Sequence, residues 1–183
     1  MIPRLTDGDV VLRPWGDDDL AAIAEASHDP EITRWTRVRE NNTVEHVRAF
    51  RADQAPWILS GHYAAWVICT DGRPQGVIDL RLELEGGRAS IGYWLGAAAR
   101  GGGVMTRAVR LVTAWGLRER SLARVEIRVA TGNSASQRVA ERAGFVREGV
   151  LRSYQELKGE RQDLVLFSRL PGDVPGDSDG SAG

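Results

Sequence analysis

Three short strand patterns in quick succession, Tyr63 to Cys69, Gln75 to Leu84 and Arg88 to Leu95, lead into three consecutive glycines and then into helical spacing. The joints Asp71-Gly72 and Gly86-Gly87 are turn signals, so these strands pair as hairpins. Beyond Gly101-Gly102-Gly103, Ala108, Leu111, Val112 and Trp115 fall on one helical face and Arg107, Arg110 and Arg118 on another. Hairpins followed by strand-to-helix units call for a mixed sheet with helices lying on it.

The rest of the chain fits that frame. Val10 to Arg13 forms a first strand, stopped by Pro14, and Asp17 to Ser27 carries Leu20, Ile23 and Ala24 at helical spacing. Asn42-Thr43 caps a second helix with Val44, Val47, Phe50 and Arg51 on its face, ending before Trp57. Arg124 to Ala130 alternates as a strand, and Ser134 to Ala143 is a short helix closed by Gly144. Val146 to Leu151 and Asp163 to Ser168 supply the last two strands. The expected architecture is α/β: a mixed, mostly antiparallel sheet of about six or seven strands, flanked by about four helices, over residues 1–170. Residues 171–183 are rich in Pro, Gly, Asp and Ser and are expected to form a disordered acidic tail.

Composition narrows the partners. With 24 basic and 25 acidic residues the net charge is −1, and setting aside the three tail aspartates leaves only about +2. Neither balance favours nucleic acid or an acidic membrane. No leader opens the sequence and no apolar run nears the ~20 residues of a bilayer span, so a cytoplasmic protein is expected. The one cysteine, Cys69, sits in an apolar run and reads as a core thiol. His28, His46 and His62 are spaced in no metal-binding pattern, so no metal is expected.

The glycine triplet opens a helix after a strand, an arrangement that turns backbone N–H groups and the positive helix end toward one anion; a flexible turn or cap is the plainer reading. A Walker loop needs Lys-Ser or Lys-Thr after its last glycine, and here Val104 follows. A dinucleotide fingerprint needs a glycine where Thr106 stands, after a parallel βαβ start that the hairpins do not provide. What remains is Arg-x-x-Gly-x-Met, carried by Arg100, Gly103 and Met105.

With that loop the chain resembles the GNAT superfamily of acyl-CoA-dependent N-acyltransferases, and the branch that acetylates ribosomal-protein N-termini (RimJ/RimL-type). Val11-Leu12-Arg13-Pro14-Trp15, Asp29-Pro30-Glu31-Ile32 before Trp35, Ile91-Gly92-Tyr93-Trp94-Leu95, Asn133-x-x-Ser136, Ala143-Gly144-Phe145-x-x-Glu148-Gly149 and Asp163-Leu164-Val165-Leu166-Phe167 match it in order. The resemblance implies the GNAT fold and acetyl-CoA as acyl donor. It implies that the strand before the loop splays from its neighbour, that Trp94 and Leu95 hold the pantetheine arm, and that Arg100, Gly101, Gly102, Gly103, Val104, Met105 and Thr106 seat the pyrophosphate. It also implies that Asn133 fixes the cofactor arm and that Ser136 assists the departing thiolate, although both residues also suit a helix start. Arg142 can reach the phosphates or simply face solvent.

Acyl transfer to an amine needs a free amine, a polarised carbonyl and a proton for the thiolate. Relatives carry glutamate where this chain has Ser90, and a second acidic position falls at Gln155, so the general base is sought elsewhere. A two-residue Gly86-Gly87 turn would set Asp79 opposite Trp94 and Glu83 opposite Ser90, which makes Asp79 the candidate base with Glu126 in reserve. Ordinary surface ion pairing is the alternative for Asp79, Glu83 and Glu126. Tyr154 can donate a proton or wall the acceptor channel, and Trp35, Arg37 and Glu83 are expected to shape the acceptor site. The expected partners are acetyl-CoA and an amine acceptor, a protein N-terminus or a small molecule, with a homodimer left open. A catalytically silent acyl-CoA-binding module, a transferase of a larger acyl group and a nucleotide-phosphate binder are the alternatives.

Overall fold

The computed structural model describes residues 1–173. Its elements, in chain order, are β1 (Leu5–Asp7), β2 (Val10–Arg13), α1 (Leu20–Ala26), α2 (Pro30–Trp35), α3 (Val44–Leu59), β3 (Tyr63–Thr70), β4 (Arg73–Glu83), β5 (Arg88–Leu95), α4 (Val104–Glu119), β6 (Arg124–Ala130), α5 (Ser134–Arg142), β7 (Val146–Leu157) and β8 (Glu160–Arg169). The eight strands form one sheet in the order β1-β2-β3-β4-β5-β6-β8-β7. Every neighbouring pair is antiparallel except β5 and β6.

Two elements exceed the sequence expectation. β1 has three residues and α2 has six, too short for either periodicity to register. Residues Pro171–Asp173 form a short 3-10 turn, held by Leu170 N–H on Asp173 Oδ2 at 2.9 Å, so the chain remains ordered past the expected start of the tail. The rest of that tail lies outside the described residues.

The Gly86-Gly87 joint also departs from expectation. Leu84–Gly86 makes a 3-10 turn and Gly87 takes a left-handed φ of 59°, which gives a four-residue loop closed by the pair Glu83 and Arg88. Asp79 therefore lies opposite Gly92, not Trp94, and Ser90 faces Arg81, not Glu83. The slip is two residues, so side-chain parity survives: Asp79, Arg81 and Glu83 still share a face with Ser90, Gly92 and Trp94.

Both faces of the sheet are covered. On one, Leu12, Trp66, Ile78, Leu80, Ile127 and Phe167 are fully buried beneath α4 and α5, each such burial stabilising by roughly 1.5–3 kcal/mol. α4 is amphipathic, with Val104, Ala108, Val112 and Leu117 turned inward. On the other face, Leu20, Ile23 and Val47 of α1 and α3 pack against Val67, Cys69 and Val77. Arg13 at the end of β2 grips Asp19 with two bonds of 2.7 and 2.6 Å, which fixes the entry to α1. Among the described residues no helix is long and apolar enough to cross a membrane.

Candidate active site

The parallel pair β5 and β6 is joined over three residue pairs only, Arg88 with Arg124, Ala89 with Val125 and Ser90 with Glu126. Beyond Ser90, β5 continues to Leu95 and β6 to Ala130 with no pairing between them, so the sheet opens into a gap at its centre. Gly96 N–H donates to the Gln75 carbonyl at 2.8 Å; by strand alternation Trp94 and Gly92 also turn their peptide groups toward β4, while Leu95, Tyr93 and Ile91 turn theirs toward the gap. The open edge is thus offered by Tyr93 and Leu95. Trp94, expected to serve there, spends its backbone on the β4 ladder and its indole on the α1 and α3 core.

The glycine loop stands at the mouth of this gap. Gly101 and Gly103 have φ of 88° and 76°, conformations that a side chain would strain, and a β-carbon on Gly101, Gly102 or Gly103 would meet nothing within 4 Å. Gly103 is the N-cap of the 16-residue α4. The N–H groups of Val104, Met105 and Thr106 in the first turn have no acceptor inside the helix, so they point into open space with the helix dipole behind them. Val104 and Met105 bury their side chains, which leaves only their N–H groups for an anion. Arg100 differs from expectation: its Nε donates to the Leu95 carbonyl at 3.0 Å and its Nη2 pairs with Asp29 Oδ2 at 2.8 Å, so its charge is engaged within the protein and it braces the loop.

The short helix α2 straddles the gap. Its N-cap Asp29 holds Arg100 on the β5 side. At its other end, the Trp35 ring lies so close over Gly132, between β6 and α5, that a β-carbon on Gly132 would stand 3.1 Å from Cη2. Trp35 Nε1 donates to Glu31 at 3.0 Å and Arg34 stacks on its ring. Lys158, at the tip of the β7-β8 hairpin, donates to the Thr33 carbonyl at 2.6 Å. Trp35 therefore belongs to the mouth of the gap, and Arg37 follows it exposed to solvent.

On the α4 side of the sheet, Asn133 caps α5 by accepting the Ser136 N–H at 3.0 Å. Ser136 Oγ lies 2.8 Å from the Tyr93 hydroxyl. Burial pushes the Tyr93 phenol up to about 12, so it stays protonated across the working pH range. Tyr93 is the site residue missed in the sequence; its parity, opposite to that of Gly92 and Trp94, aims it at α5. Arg142 stands apart, exposed in the last turn of α5, with its carbonyl taken by Arg110.

On the opposite side, Asp79 is buried, and its carboxylate fills the space that a side chain on Gly92 would need: a β-carbon there would stand 3.0 and 3.1 Å from its oxygens. Arg81 reaches both oxygens at 3.2 and 3.3 Å from its exposed position. Burial pushes Asp79 up to about 6, against the opposing pull of Arg81 and Tyr63. Burial also pushes the Tyr63 phenol up, and the Asp79 charge adds to the effect. Glu83 is remote from this group, four residues or about 13 Å along β4, and paired with Arg88. Glu126 sits where the gap begins, bound to Arg124 at 2.7 Å and Arg128 at 3.2 Å. Tyr154 accepts from Arg128 Nη1 at 2.9 Å on this side, across the sheet from Ser136.

The chain is similar to known proteins. Residues 9–146 match the model of the acetyltransferase (GNAT) domain. The putative ribosomal N-acetyltransferase YdaF of Bacillus subtilis (strain 168) is 39% identical over 101 residues, a stretch covering 55% of this chain and 55% of that protein, so the chain spans only about half of this relative. The uncharacterized N-acetyltransferase p20 of Bacillus licheniformis is 27% identical over 170 residues, covering 91% of this chain and 96% of that one. In structure, Mycobacterium smegmatis RimJ in complex with CoA-disulfide superposes with a TM-score of 0.86 at 24% identity, covering 95% of this chain and 88% of that one, a likeness of fold.

Proposed function

The chain belongs to the GNAT family of acetyltransferases, and on that premise we propose that it moves an acetyl group from acetyl-CoA to a primary amine by direct attack in a ternary complex. The single observation that carries this reading is the gap between β5 and β6, open past Ser90 and fronted by the Gly101–Gly103 cradle. An extended amide-bearing arm fits such a gap because the Tyr93 peptide groups and the Leu95 N–H offer it a strand edge, the Leu95 carbonyl being held by Arg100, while the loop and the α4 N-terminus suit a pyrophosphate. Acetyl-CoA would supply the thioester, and the protein's own side chains would move the protons.

The amine reaches the gap from the Asp79 side. Asp79, ionised above about pH 6, takes a proton from the attacking nitrogen directly or through one water, in the role of general base. A peptide α-amine, with pKa ~8, asks less of that base than a lysine, near ~10.4. As the C–N bond forms and the C–S bond breaks, the leaving sulfur takes a proton from the other side of the sheet. The Ser136 hydroxyl delivers it and is replenished by the Tyr93 phenol 2.8 Å away, which regains its proton from solvent as the thiol departs. The two proton functions thus occupy opposite faces, with the gap between them, and no covalent enzyme intermediate is needed.

The test is incubation of the purified protein with acetyl-CoA and a panel of N-terminal peptides, diamines and amino sugars, following free thiol. Amine-dependent thiol release supports the proposal. Tight CoA binding with no release across the panel would leave a silent acyl-CoA-binding module instead.

A further inference from the structure

Residues 152–154 of β7 depart from the alternation of that strand. Leu151 pairs with Leu164 and Gln155 with Gln162, so three residues of β7 stand against Asp163 alone. Ser153, in the middle, takes a left-handed φ of 50°, a conformation that costs a residue other than glycine and persists only where its surroundings hold it. They do so here. The Ser153 N–H donates to Asp163 Oδ1 at 2.7 Å, and Arg161 binds both the Ser153 hydroxyl, at 3.2 Å, and the Ser153 carbonyl. A bulge so secured bends its strand and re-aims the side chain beside it.

That side chain is Tyr154. Leu164 and Leu166 carry the parity of Arg128, so Leu151 and Gln155 lie on the Asp79 side of the sheet, and plain alternation would turn Tyr154 to the α5 side. Tyr154 instead leans over β8 to Arg128, whose Nη1 donates to its hydroxyl at 2.9 Å and whose guanidinium lies 5.5 Å from the ring centroid. Arg128 belongs to the free length of β6. The last pair between β5 and β6 is Ser90 with Glu126, and that register carried two residues further sets Arg128 across the gap from Gly92, over which the Asp79 carboxylate lies. Asp79 thus stands on one lip of the gap, and Arg128 with Tyr154 on the other.

The chemistry of the second lip follows from its bonds. Glu126 pairs with Arg128 at 3.2 Å and offsets the cation. The Tyr154 oxygen spends a lone pair on Arg128, while its O–H, on a side chain 47% exposed, meets no acceptor among the described residues. The lip therefore presents a neutral donor, polarised by the guanidinium behind it, and its complement is a neutral hydroxyl or carbonyl oxygen. Because β6 stands between the gap and this hydroxyl, that oxygen belongs about one to two strand spacings, ~5–10 Å, from a nitrogen in the gap.

We propose that the 152–154 bulge presents Tyr154 as a specificity-determining residue, whose hydroxyl donates to a neutral oxygen of the acceptor amine. The inference rests on the transferase reading above for the position of the amine. It separates amines that carry such an oxygen from plain alkylamines.

The experiment uses the whole protein with acetyl-CoA and straight-chain amino alcohols of three to six carbons, each against the alkylamine that has a methyl group in place of the hydroxyl. Turnover is followed by thiol release, and amine binding by calorimetry on the protein saturated with CoA. Tyr154→Phe is expected to lower kcat/KM about three- to tenfold for the best amino alcohol, through KM, the scale of one neutral hydrogen bond. Its alkylamine partner and the KM for acetyl-CoA should stay within about twofold. A variant lacking Arg152 and Ser153, which restores the alternation and turns Tyr154 away, should lose the same preference. Equal losses on both amines of a pair, no loss on either, or a folded deletion variant that keeps the preference overturns the assignment. Amino alcohols whose binding weakens in Tyr154→Phe, with no thiol released by either protein, uphold it and sink the transferase reading; amines that neither bind nor react overturn it.

Discussion

The Tyr93 hydroxyl lies 2.8 Å from Ser136 Oγ and donates to the Ser136 carbonyl at 3.3 Å, which joins the open edge of β5 to the first turn of α5. Tyr93→Phe and Ser136→Ala should each lower kcat about 100-fold or more while the KM for acetyl-CoA moves little, the scale expected for loss of one acid–base group. Because the two hydroxyls form one relay, the double variant should be no worse than the more damaged single one. Steady-state kinetics on the four proteins checks this, and fully additive losses would mean that the hydroxyls act separately.

Asp79 gives a pH signature with opposite consequences for activity and stability. In the proposed mechanism its ionised form is the base, so kcat/KM should rise with pH through about 6, and that limb should vanish in Asp79→Asn together with most of the activity. Folding prefers the protonated form: with a folded pKa of about 6 against 3.8, this group's stabilising contribution is full below about pH 4 and is lost as pH rises through 6. Asp79→Asn should therefore raise the melting temperature at pH 8, by up to about 3 kcal/mol of stability, and change little at pH 4. Melting curves at the two pH values decide it.

Gly103→Glu should abolish CoA binding. The substitution strains a left-handed N-cap and sets a carboxylate beside the N–H groups of the α4 first turn, where it repels an incoming phosphate. Calorimetry with CoA on a folded variant is the check; unchanged affinity would remove the cradle from the site.

Arg100 should act as a brace. Arg100→Lys keeps the charge but loses the fork that bonds the Leu95 carbonyl and Asp29 together, so it should raise the KM for acetyl-CoA several-fold, about as much as Arg100→Ala. Asp29→Asn should do the same from the other end. If Lys restores full affinity, the guanidinium contacts phosphate as a simple charge.

Much of this architecture was legible in local pattern. β5 and β6 have the bounds read from alternation, and α5 ends one residue short of its expected close. The hairpin register was not, because two glycines announce a turn without stating its length, and the four-residue loop moved Asp79 from Trp94 to Gly92. The role of Arg100 was hidden for a different reason: its partner Asp29 lies 71 positions earlier in the chain, and no spacing rule reports a contact made by the docking of α2. Tyr93 was within reach, since strand parity alone turns it away from Gly92 and Trp94, but its partner on α5 depends on how that helix packs. The longer loop shifts the partner of Asp79 by two residues, and an even shift keeps it on the face of Gly92 and Trp94.

Among the described residues, the three pairs that join β5 to β6 are the only ladder between two stiff leaves, one of five strands and one of three. A sheet so divided concentrates its compliance at one seam, and α2, tied to Arg100 on one leaf and to Gly132 and Lys158 on the other, is the clasp across it. An extended guest lying along Tyr93 and Leu95 would act mechanically as a ninth strand, stiffening the molecule where its own chain leaves it slack.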